Sequence, residues 1–123
     1  MSQIIPTLNE LTPYCNRKDL LEKVVIQIQK DFNWFSFTII FSEETETSPY
    51  QQLYEQILPM VDEMLNDNYT KLLSLLYRID IGEDFLNRRL KEIFNADTDE
   101  VITDLIIKRE LQKVIIRDMY SSK

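Results

Sequence analysis

A chain of 123 residues with a net charge of −7 suits one domain around one core, and 44% hydrophobic against 28% charged residues is the balance of a globular chain, not a disordered tail. The composition excludes much chemistry. With no histidine there is no Ser/His or Cys/His nucleophile pair and no His-ligated metal; one cysteine excludes thiolate clusters and an internal disulfide, and one glycine excludes Gly-rich phosphate loops. No cofactor is expected, and so few glycines favour helices over a many-turned sheet.

Residues 1–15 read as an irregular lead-in with one helical turn, since Thr7 and Glu10 have capping-box spacing and Pro13 follows. No basic leader precedes an apolar run, and no apolar stretch approaches the ~20 residues of a membrane span, so the expected location is the cytoplasm, away from membranes. Cys15 is expected to be a buried or half-buried free thiol, with an intermolecular bridge as the alternative. Asn16 can cap a helix over 17–32, whose Leu20, Leu21, Val24, Val25, Ile28 and Phe32 recur at helical spacing; alternation at Val24, Ile26 and Ile28 is the rival reading of a strand.

Residues 34–41 change period. Phe35, Phe37, Ile39 and Phe41 fall on one face and Trp34, Ser36, Thr38 and Ile40 on the other, which predicts an extended aromatic segment. Its partner would be residues 24–29, the stretch from Val114 to Arg117, or a second molecule; a lone segment laid across the helices is the remaining option. An acidic loop, 42–48, carries Glu43, Glu44 and Glu46.

Ser48, Pro49 and Gln51 open a helix over 49–66 in which Pro59 predicts a kink or break. Asn68 caps the next, 69–80, whose apolar side chains cover roughly 200° of the circumference, wide enough to predict neighbours on several sides and a central place in the core. Leu72 to Leu76 matches an LxxLL pattern and Leu76-Tyr77-Arg78 spells the tripeptide of a mitochondrial helical-bundle family, but leucines at this spacing follow from packing alone, and both are read as core. Gly82 is expected to end this helix in the left-handed region. Glu83 and Asp84 start a helix over 83–94. Asp97 to Glu100 start the last, 98–119, which is apolar on two sides: Val101, Leu105, Ile116 and Met119 on one line, Ile107, Leu111 and Val114 on another. It is either threaded between neighbours or meets another chain.

The fold class expected is therefore mainly α, a single-domain bundle of about five helices with one extended segment. Eight acids and no base lie between Lys30 and Lys71, a distribution that disfavours nucleic acid and permits a basic protein partner. The function expected is a non-enzymatic protein–protein interaction module, an adaptor or small subunit that also self-associates, docking through Trp34, Phe35, Phe37, Glu43, Glu44, Glu46, Ile107, Leu111 and Val114. One alternative is an acidic inhibitor or immunity-type protein that blocks a basic enzyme or nucleic-acid site. The other is a magnesium-dependent all-α hydrolase using Asp97, Glu100 and Asp104 with Glu63 and Asp67 facing them, although acids at a helix start have the simpler role of complementing its dipole.

Overall fold

The computed structural model describes residues 7–33, 38–93 and 95–121. Two 3-10 turns, Leu8–Glu10 and Thr12–Tyr14, lead into five α-helices among the described residues: α1 Lys18–Phe32, α2 Pro49–Asp67, α3 Tyr69–Arg78, α4 Glu83–Glu92 and α5 Thr98–Ser121. The described residues contain no strand, so the chain is a mainly α bundle and the strand reading of residues 24–28 gives way to α1. No helix of the described residues is long and apolar enough to cross a membrane. Trp34, Phe35 and Phe37 lie outside the described residues, as does Phe94, near the expected end of the fourth helix.

Local signals explain most of the helix ends. The Ser48 side chain accepts the Gln51 N–H at 3.2 Å with Pro49 in the first turn, and Asn68 accepts the Lys71 N–H at 3.2 Å. At α5 the Glu100 carboxylate turns back to the Asp97 N–H at 2.9 Å. Pro59 does not break α2; it lies on the exposed side of a helix that runs on to Asp67, where the Glu55 carbonyl that lacks its partner also reaches water. Asn16 does not cap α1, which starts from Arg17 without a side-chain cap. Its carboxamide oxygen instead accepts the Tyr50 N–H at 3.2 Å and so caps α2.

The α3 terminus also differs from expectation. Gly82 is extended, at φ −76° and ψ 163°, and the left-handed residue is Asp80, at φ 67°. The Ile81 N–H reaches the Leu76 carbonyl at 2.8 Å and the Asp80 N–H the Tyr77 carbonyl at 3.0 Å, the two bonds of a Schellman motif. Ile81 is buried with Leu76, which supplies the apolar contact that accompanies such ends. Arg109 holds the turn from outside, with Nε donating to the Ile79 carbonyl at 2.8 Å and Nη2 pairing with Asp80 at 2.9 Å.

The centre of the bundle is α5, not α3. Val101, Ile102, Leu105, Ile106, Ile107, Leu111, Val114 and Ile115 are all buried, and the helix packs against α1, α2, α4 and the first 3-10 turn. α3 buries Leu72, Leu75 and Leu76 on one side, while Tyr69 and Tyr77 are turned to solvent, Tyr77 at 76% exposure. Its wide apolar arc overstates its burial because tyrosine is amphipathic and tolerates water at its tip. The leucines of the LxxLL pattern pack inward, but the middle and last residues of Leu76-Tyr77-Arg78 do not.

Candidate partner-binding surface

Residues 38–42, which precede α2 in the chain, run alongside it as an extended segment. The Ile40 N–H donates to Gln56 Oε1 at 3.0 Å and the Ile40 carbonyl accepts from Gln56 Nε2 at 2.8 Å. One helical turn earlier Gln52 does the same for Ser42, accepting its N–H at 2.6 Å and donating to its carbonyl at 3.1 Å. Residues 40 and 42 thus turn both backbone groups to the same side, the period of two of an extended chain. Each carboxamide, with one acceptor and a donor, replaces the peptide group that a neighbouring strand would present. The side chains of Ile39 and Phe41 pack against the core, and Ile40 is turned outward at 69% exposure. Within the described part of the expected segment, residues 38–41, the chain is laid along a helix.

Gln52 also sets the loop that follows. Its Nε2 reaches the Thr47 carbonyl at 2.9 Å as well as that of Ser42, so one side chain ties both ends of the acidic loop to α2. Inside the loop Ser42 Oγ accepts the Glu44 N–H and Thr45 Oγ1 accepts the Thr47 N–H, both at 3.2 Å. Glu43 is drawn back to Lys18 at 3.0 Å, while Glu44 and Glu46 are exposed and have no ion-pair partner among the described residues. The result is a fixed loop that holds two unneutralised carboxylates next to an exposed isoleucine.

The remaining expected docking residues are elsewhere. Ile107 and Leu111 are fully buried and Val114 is 3% exposed, so the second apolar face of α5 is covered by the chain's own helices and offers nothing to a partner. Threading between neighbours is what that face was for.

Of the carboxylates weighed for magnesium, Glu100 and Asp104 line one recess with Tyr54, and each of the two already has a partner. Glu100 caps α5, and Asp104 accepts a hydrogen bond from the Tyr50 hydroxyl and pairs with Lys108 at 3.0 Å. Burial first, and then the Asp104 charge, push the Tyr50 pKa upward, so that phenol stays protonated and donating. Glu63 and Asp67 line a different recess, of about 320 Å³, with Lys71. Among the described residues no three His, Cys, Asp or Glu side chains are gathered to hold a metal ion. Cys15 is half-buried near Lys108 and Asp104, and burial raises its thiol pKa.

A buried polar group was missed from sequence. Glu110, on α5, is 0% exposed and faces Asp31 of α1, with Lys113 Nζ 2.7 Å from Asp31 and 3.3 Å from Glu110. Gln27 donates to Asp31 Oδ1 at 3.0 Å, and Arg78 of α3 donates to the Asp31 carbonyl at 3.1 Å. Burial, and then the Asp31 carboxylate, push the Glu110 pKa up to about 8. Burial also opposes the Asp31 charge, but hydrogen bonds from Lys113 and Gln27 help outweigh it, and that carboxyl is held below the ordinary range. Glu110 therefore keeps its proton at neutral pH while Asp31 is ionised. The signal was readable: 103, 107, 110 and 114 lie on one helical line, and an acid interrupts it. Gln52 and Gln56 had no comparable signal, since their role depends on where residues 38–42 are laid.

No family model, curated protein or solved structure matches the chain.

Proposed function

We propose that this chain is a non-enzymatic protein–protein interaction module that docks a basic partner at the surface formed by residues 38–47. The observation that carries this reading is the placement of Glu44 and Glu46, exposed and without an ion-pair partner among the described residues, on a loop that Gln52 ties to α2 beside exposed Ile40. Preorganised charge of one sign steers an oppositely charged partner and discriminates against acidic ones, while an exposed apolar side chain next to it supplies contact area. Residues 31 to 70 contain no base, and Lys18, which reaches the loop from α1, is paired with Glu43 and not with Glu44 or Glu46. Self-contact through α5 is not part of the proposal, because Ile107, Leu111 and Val114 are already covered.

The test is affinity capture from native extract with wild-type chain and with Glu44→Lys/Glu46→Lys, followed by association kinetics of the captured protein at several salt concentrations. A basic protein held by the wild type, associating about tenfold more slowly with the double variant at low salt, supports the reading. The same proteins held equally by both reject it. If the captured protein is an enzyme silenced in a one-to-one complex, the module acts as an inhibitor.

A further inference from the structure

The extended segment has a second edge. With the N–H and C=O of residues 40 and 42 turned toward Gln56 and Gln52, the period of two sends those of Ile39 and Phe41 the other way. Nothing among the described residues bonds to these two donors and two acceptors. Backbone groups without a protein partner need water or a ligand, because leaving them dry and unpaired is strongly unfavourable. Both side chains are anchored in the core and both neighbouring residues are clamped to α2. The segment is therefore held straight before anything binds, with the ordering entropy already spent.

We infer that this edge is a β-augmentation site that takes an extended, basic peptide segment of a partner protein. This rests on the interaction-module reading and specifies its partner. A peptide strand laid along residues 38–42 satisfies the backbone groups of Ile39 and Phe41 with its own, and its alternate side chains lie beside Ile40. Past Ser42 the peptide meets Glu44 and Glu46, which select lysine or arginine at that end. A second copy of the chain fits less well. Its own residues 38–42 contain no charged side chain to answer the two glutamates.

The experiment uses the full chain, ¹⁵N-labelled, with a synthetic peptide of alternating valine and threonine preceded by a run of lysines. Two N-methylated versions accompany it, one blocking the alternate amides that would face the edge and one blocking the others. Expected are fast amide exchange at Ile39 and Phe41 in the free chain, protection of both on peptide addition, and binding weakened about tenfold for each blocked edge-facing amide but not for the others. Glu44→Lys/Glu46→Lys weakens the lysine peptide and leaves a lysine-free one unchanged. Slow exchange at both amides in the free chain, no binding, or binding with equal sensitivity to both methylation patterns overturns the edge assignment. Protection that grows with protein concentration in the absence of peptide overturns the basic-peptide occupant in favour of a second copy. None of these failures touches the capture result, which tests the module reading on its own.

Discussion

Glu110 is a carboxyl placed where a leucine would be expected, and its proton makes that tolerable. Its ordinary pKa is 4.5 and its folded value about 8, so between these the folded chain holds a proton that the unfolded chain releases. Stability from this group is complete below the lower value and is lost as pH rises toward the upper one, at about 1.4 kcal/mol per pH unit. Asp31 works on the other side: its pKa is lowered, so its contribution is present above the ordinary carboxylate value and disappears as pH falls through the folded one. Glu110→Gln keeps the shape but takes up no proton. We expect urea unfolding at a series of pH values to show a wild type that weakens steadily from mildly acidic to mildly alkaline pH, and a Glu110→Gln variant with a much flatter profile that is the more stable of the two at the alkaline end. A parallel pair of curves would show that Glu110 is ionised in the folded chain and that the buried cluster carries full charge.

At the level of elements, all five helices were legible within two residues at each end, and several ends have a local cause: Ser48 with Pro49, Asn68, and Asp97 with Glu100. The capping groups that differ from expectation are those in which a side chain serves an element other than its own. Asn16 caps α2 across 34 positions, and the left-handed residue after α3 is Asp80, not the nearby glycine, because Arg109 from α5 holds it. A Cβ in the left-handed region costs about 1 kcal/mol, less for aspartate than for alanine. Asp80→Ala should therefore lower stability by about 1 kcal/mol or slightly more, losing both the tolerant side chain and the Arg109 pair. Asp80→Gly should lose clearly less, since glycine removes the strain as it removes the pair. Thermal melts of the two variants beside wild type check the order; equal losses would mean that the ion pair, and not the backbone, matters at this turn. The extended segment was legible in its period but not in its pairing, because a row of alternating aromatics does not show that two glutamines on a helix will complete one of its edges.

For the molecule as a whole, the main correction concerns which helix sits in the middle. α3 has the denser leucine run, but two of its tyrosines face water, whereas α5 is apolar on two sides and is enclosed on both. Leu111 discriminates between the two views. As a residue of an exposed docking face its truncation would shift stability by no more than about 0.5 kcal/mol; as a fully buried side chain of the central helix, Leu111→Ala should cost about 3 kcal/mol, seen as a lower urea midpoint at unchanged slope. Moving Ile107, Leu111 and Val114 to the core leaves the acidic loop and residues 38–42 as the part of the expected docking surface that the described residues expose.

The amino-acid order alone determined the class of the molecule: a mainly α bundle, the position of each helix, an extended stretch before an acidic loop, and the absence of histidine-based nucleophile pairs and Gly-rich phosphate loops. These follow from properties that act within a few residues, namely apolar period, capping groups and composition. Tertiary structure decided which apolar face was covered, which asparagine capped which helix, that Glu110 met Asp31, and that residues 38–42 were completed on one edge and left open on the other. Those outcomes depend on groups far apart in the chain coming within a few ångströms of each other, and hydrophobic spacing, being non-directional, does not specify such pairings.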